Sequence, residues 1–155
     1  MEPAAFDIRF VSRTPERQDE GWDALRGEIR LGDCREGFRA PLGPWAPADY
    51  ERQWREAAGR LVSGRSAAFW TVPWRFWWTA WPEGTEVVFQ EQLLLADRLG
   101  AYARGPRPAA GCAPYELIGP REPFSEDGAP VSEWRLPLAA VRAWLARPTD
   151  APHRG

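Results

Sequence analysis

The sequence predicts an α+β fold: an antiparallel sheet of about five to seven strands packed with two α-helices in a single domain. Three observations carry this. Apolar and polar residues alternate with period two in several short runs, among them "FDIRFVSR" and "EVVFQEQLLL". Apolar residues recur at helical spacing in two others, "ADYERQWREAAGRLV" and "PLAAVRAWLAR". The turn "PEGT" joins two of the alternating runs too closely for a parallel crossover.

The elements follow in order. In "FDIRFVSR", residues 6 to 13, Phe6, Ile8 and Phe10 oppose Asp7, Arg9 and Val11, as in a strand with one buried face. "GEIRLGD" is a second candidate strand, with Gly27 and Gly32 limiting its length. The polar segment "TPERQDEGWDALR" between them reads as a long loop, and "FRAPLGPWAP" as a Pro/Gly-rich connection.

A helix then starts near Pro47, with Asp49 in its first turn and Gly64 as its stop. Tyr50, Trp54, Ala57, Ala58 and Leu61 form its apolar stripe, leaving Glu51, Arg52, Arg55 and Glu56 as solvated surface. Residues 66 to 95 read as a three-stranded antiparallel meander. Its aromatics fall on both faces: Trp70 with Ala68 against Phe69, and Phe76 with Trp78 against Trp77 and Trp81. Most of them belong in a core, since large aromatics dominate buried area.

Residues 101 to 114 have loop composition, and "YELIG" is a candidate short strand. "SEDGAP" is a turn before the strand "VSEWRLPL". The closing helix places Leu138, Val141, Trp144 and Leu145 on one face.

Composition narrows the chemistry. With 20 Lys+Arg and 22 Asp+Glu in 155 residues, the net charge of −2 gives no broad attraction for nucleic acid or an anionic membrane. Every basic residue other than His is Arg, and Lys and Asn are absent, which reads as the imprint of a GC-rich genome. Neither a secretory signal nor an apolar run of about 18 residues is present, so a cytoplasmic protein is expected. Cys34 and Cys112 have no metal-ligand or redox spacing, and the single histidine, His153, lies in the Pro/Gly-rich tail 148 to 155, expected to fray. No metal or cofactor site is expected from these residues, and an enzyme would have to work with carboxylates, whose meeting linear spacing does not show.

The ordered blocks carry a resemblance over roughly residues 28 to 146. A Pro-Leu-x-x-Trp segment (Pro41, Leu42, Trp45) leads into a helix bearing Tyr50 and Trp54. An aromatic strand with paired Trp77 and Trp78 precedes Gln90, Glu91 and Gln92, and a turn at Asp127 and Gly128 precedes Ser132, Glu133 and Trp134. This succession resembles the immunity proteins of contact-dependent growth inhibition. It departs from them where their Gln-Asn-Gln reads Gln90-Glu91-Gln92, in the rearranged loop 101 to 114, and in the first 27 residues.

The resemblance implies a bacterial immunity protein, not an enzyme, that binds and neutralises the toxic C-terminal domain of a cognate effector, often a nuclease, by stoichiometric protein–protein inhibition. A nuclease presents a basic surface to phosphate, so its inhibitor needs facing acids. The candidate contacts are Asp33, Glu36, Glu83, Glu86, Glu126 and Asp127, with Trp74 and Trp81 as exposed anchors at strand ends. For each acid, ordinary solvated turn charge is the competing reading. Glu133 is set apart, because its place in the Ser-Glu-Trp block suits a structural hydrogen bond. The alternative function is a single-stranded nucleic-acid binder using aromatic platforms and Arg side chains. The sequence leaves oligomeric state open.

Overall fold

The computed structural model describes residues 5–19, 21–43, 45–72, 76–93 and 118–147. Trp74, Cys112, His153, the loop 101 to 114 and all of "YELIG" except Ile118 and Gly119 lie outside these residues.

Period-two alternation forms the first sheet. β1 (Phe6–Phe10) pairs antiparallel with β3 (Asp23–Leu31), which also pairs with the two-residue β2 (Glu16–Arg17) and with β4 (Cys34–Pro41). Phe6, Ile8, Ile29 and Leu31 point inward. Two of these strands contradict the expectation. The segment "TPERQDEGWDALR" contains β2 and the start of β3, because Ala24 and Leu25 are buried while its charges pair across the strands. Arg26 meets Glu16 at 2.7 Å and Arg17 meets Asp23 at 3.4 Å. The stretch entering "FRAPLGPWAP" is β4, whose small and charged residues mask a regular alternation ending in buried Ala40 and Pro41.

Gly27 does not shorten β3. It sits opposite Phe38, whose ring covers it so closely that a Cβ there would collide with the ring and lie 2.9 Å from the Arg9 carbonyl. Two-residue turns close the β3–β4 hairpin and a later hairpin between Glu83 and Glu86, each with a glycine in left-handed conformation at its first central position, Gly32 at φ +65° and Gly84 at φ +63°.

α1 (Pro47–Val62) follows. The Asp49 carboxylate accepts the Ala46 N–H at 2.8 Å at its start, and Gly64 (φ +88°) ends it. The expected apolar stripe is buried. The Tyr50 hydroxyl donates to the Pro41 carbonyl at 2.6 Å, and burial holds the phenol protonated by pushing its pKa far up. Arg55 is not free surface: it donates to the Leu145 carbonyl at 2.8 Å and lies over the Trp144 ring at 5.8 Å.

The second sheet is the expected meander, β5 (Ala67–Val72), β6 (Phe76–Glu83) and β7 (Glu86–Leu93), extended by β8 (Trp134–Pro137). α2 (Leu138–Ala146) packs on α1 and β1, with the Trp144 indole donating to Asp7 at 3.1 Å. The described architecture is thus α+β, with two four-stranded antiparallel sheets and two helices.

One core joins both sheets and both helices. Phe6 stacks against Phe89 and meets Trp144 edge-on, while Phe69, Trp78, Val87 and Leu136 come from the second sheet. The opposite face of that sheet carries a smaller cluster. There Trp70 stacks between Trp45 and Trp77, with centroid distances of 5.1 and 5.3 Å, over Ala68 and Ile118. Phe69, Trp78 and Phe89 on one face and Trp70, Trp77 and Trp81 on the other are therefore interior. No described helix is long and apolar enough to cross a membrane.

Candidate functional site

The same outer face of the second sheet changes character along β6, β7 and β8. Beyond the tryptophans lie Thr79, Gln90 and Gln92, joined by hydrogen bonds of 3.0 and 3.3 Å, and beyond these a charged end. Strand alternation puts Glu83, Glu86 and Arg135 there, since Glu83 pairs with Glu86 and Arg135 with Val88.

Arg121 closes this end. Its Nε and Nη2 each donate at 2.6 Å to the two oxygens of Glu133, and its Nη1 donates to Glu83 at 2.9 Å. Arg135 reaches Glu83 at 3.2 Å and Glu86 at 3.5 Å. The Gln90 amide donates to Glu133 at 2.8 Å and to the Glu122 carbonyl at 3.1 Å. Two parallel N–H···O bonds fix both the distance and the plane of the Arg–Glu pair.

This geometry polarises both partners. The hydrogen bond from Arg121 lowers the pKa of Glu133 below its usual 4.5, burial opposes it, and the Gln90 amide adds to the lowering. Arg121 is pushed the other way, chiefly by the hydrogen bond to Glu133. A lowered carboxyl pKa means that the folded state binds the proton more weakly than the unfolded chain does. Its stabilisation is present above pH 4.5 and disappears as pH falls through the lower folded value. Glu133→Gln should therefore reduce stability at pH 7 and flatten the loss of stability on acidification. Urea unfolding at pH 7 and pH 3 checks this, and an unchanged pH profile would contradict it.

The clamp holds a loop. Residues 123–131 fold back on themselves, with Ser125 N–H donating to the Ala129 carbonyl at 2.8 Å, Gly128 N–H to the Ser125 carbonyl at 2.9 Å and Val131 N–H to the Pro123 carbonyl at 2.9 Å. Gly128 supplies the left-handed conformation the turn needs, at φ +82°. Phe124 bridges to Pro130 and leaves 58% of its surface exposed. Across residues 83–86 and 121–135 stand six carboxylates against two guanidiniums, in a chain whose net charge is only −2.

The structure brings together only some of the residues singled out from the sequence. Glu83 and Glu86 stand exposed at the hairpin but engaged in ion pairs, while Glu126 and Asp127 occupy the exposed turn of the loop. Asp33 is exposed in the β3–β4 turn, away from this group. Glu36 is not a loop acid: it is half-buried in β4, and its charge, after burial itself, raises the pKa of Glu91 on β7. Trp81 is not an exposed anchor. It is buried, and its indole N–H donates to the Gly119 carbonyl at 2.9 Å, because the segment leading to Arg121 crosses over it.

Sequence reasoning missed Arg121, Glu122 and Phe124. They lie within the span of the resemblance, which gives them no role, whereas Gln90 and Glu133 of two of its blocks hydrogen-bond each other. These two positions hold each other and so serve the scaffold. Among the described residues there is no grouping of three or more His, Cys, Asp or Glu able to hold a metal ion.

Two antiparallel sheets, two helices and a clamped acidic end define an α+β protein. The model of the CdiI N-terminal domain family matches residues 40–144, and the chain belongs to that family, the immunity proteins of contact-dependent growth inhibition. Among solved structures, the chain is similar to one chain of the "CdiA-CT/CdiI toxin and immunity complex from Enterobacter cloacae", with TM-score 0.73 and 21% identity over 90% of this chain and 95% of that one. A comparison with curated proteins finds no match.

Proposed function

We propose that this protein binds the toxic C-terminal domain of a cognate contact-dependent growth inhibition effector and neutralises it by forming a stoichiometric complex in the cytoplasm. It acts by occupying surface and has no turnover of its own. Membership of the immunity family over residues 40–144 carries this reading. The similar fold in a structure whose title describes a toxin and immunity complex supports it. A toxin that cuts nucleic acid offers a basic face, and the acidic excess around residues 83–86 and 121–135 is complementary to one.

Among the described residues, the tryptophans of the second sheet do not favour the nucleic-acid alternative. Trp70, Trp77, Trp78 and Trp81 are buried, the first three at 1% exposure, so none of them offers a face on which a base could stack.

The test is co-expression of this chain with the C-terminal domain encoded immediately upstream. Rescue of growth, together with co-purification at one-to-one stoichiometry, is the expected result. A toxic domain that kills equally with and without this chain, and forms no complex with it, would sink the proposal.

A further inference from the structure

We infer that the loop 123–131 is a preorganised docking tip, with Phe124 as its apolar anchor, for a basic protein surface on the toxin domain. This rests on the immunity reading above and goes further by assigning the surface and its anchoring residue.

Phe124 is an apolar side chain in an unfavourable place. Phe124 and Val11 are the exposed large hydrophobic residues among those described, and Phe124 is the more exposed of the two at 58%. An exposed phenyl ring contributes little to folding, since its apolar area stays in water. Yet the segment bearing it is tied down from several directions. The Trp81 indole holds Gly119, the Gln90 amide holds the Glu122 carbonyl, and Arg121 is locked bidentate on Glu133 with a third bond to Glu83. Within the loop, backbone hydrogen bonds close the turn and Phe124 bridges to Pro130.

These bonds orient the ring outward before any partner arrives. Ordering entropy that would otherwise oppose association has then already been lost on folding. A rigid, exposed aromatic is the type of residue on which binding energy concentrates.

The charge around the ring selects the partner. Glu122, Glu126 and Asp127 flank Phe124 and are exposed, whereas the nearby Arg121 and Arg135 are occupied by Glu133, Glu83 and Glu86. Like charge disfavours phosphate and anionic lipid, so the complementary occupant is a protein surface rich in Arg or Lys with an apolar recess for the ring. The acids steer encounter and the ring sets residence time.

The experiment uses the full chain and the purified C-terminal domain encoded upstream, with catalytic activity of that domain removed, in surface plasmon resonance at two salt concentrations. Phe124→Ala should weaken binding about thirtyfold, mostly through faster dissociation. The double substitution Glu126→Gln, Asp127→Asn should instead slow association and reduce its salt dependence. Val11→Ala should leave both rates unchanged. Because Phe124 is exposed, unchanged thermal unfolding of Phe124→Ala separates lost binding from lost folding. A tight wild-type complex that Phe124→Ala leaves intact overturns the docking tip and spares the immunity reading. No complex with the wild-type chain overturns both.

Discussion

Trp54→Ala should destabilise the protein by about 4 kcal/mol, a large share of the stability of an ordinary domain. Trp54 is buried on α1 at the junction of the two sheets, and its ring touches those of Phe10, Phe38 and Tyr50 at centroid distances of 5.0, 5.8 and 6.2 Å. Its indole N–H also donates to the Trp70 carbonyl at 2.7 Å. Truncation removes the packing, leaves a cavity, and strands that carbonyl. Trp54→Phe separates the effects, since it keeps most of the ring contacts and removes the donor. Its cost should be about 1–3 kcal/mol, that of an unpaired buried carbonyl together with some lost area. The urea midpoint should fall in both variants with little change in slope. A Trp54→Phe protein as stable as wild type would show that the indole hydrogen bond contributes nothing.

Gln53→Leu should cost about 2–4 kcal/mol and should also make the protein associate. β5 is an edge strand of the second sheet among the described residues, so one side of its backbone has no strand partner. Gln53 substitutes for one. Its amide donates to the Ala68 carbonyl at 2.7 Å and its carbonyl accepts the Trp70 N–H at 3.0 Å, while Trp54 takes the Trp70 carbonyl. Two adjacent helix residues thus satisfy three of the outward-facing backbone groups that another chain would use for strand pairing.

Leucine fills a similar volume without either hydrogen bond, leaving a buried donor and a buried acceptor unpaired. Gln53→Glu is the informative companion. Its neutral acid can still donate to Ala68, whereas the carboxylate repels that carbonyl. Stability of this variant should therefore be retained at low pH and lost as pH rises, the direction required when the folded state holds the proton more tightly. Sedimentation velocity at increasing concentration checks association of Gln53→Leu. A variant that stays monomeric and as stable as wild type would show that the side chain does not cap the edge.

Legibility in the sequence followed the strength of the local pattern. The apolar stripe of α1, Tyr50 to Leu61, is long and regular, and it is buried as expected. The β5–β7 meander was visible because its alternation is built from large aromatic and β-branched residues. β4 was hidden because its inward positions are Cys34, Glu36, Phe38 and Ala40, which scarcely register as apolar alternation, and because Gly37 and Pro41 read as breakers. β2 is two residues long and owes its pairing to the neighbouring β3, so no local signal existed to read.

The candidate site was less legible than the fold. Acidic turns such as Glu126 and Asp127 stand out in a sequence, but their charge alone does not distinguish a recognition surface from ordinary solvation. The resemblance blocks located Gln90 and Glu133, 43 residues apart, without showing that they touch. Arg121 carried no marker among 20 basic residues, and Phe124 looked like one more apolar residue beside a turn.

By itself, the sequence determined the α+β class, the helices and the meander, because periodicity and turn chemistry act over a few residues and are written directly in the residue order. Its ordered blocks also carried the immunity family. Tertiary structure alone decided the division of the strands into two sheets, the burial of Trp81, the capping of β5 by Gln53 and Trp54, and the clamp that joins Arg121, Glu133, Glu83 and Gln90. Those features depend on which residues meet across the chain. Such meetings are settled by packing the whole core at once, and no local spacing encodes them.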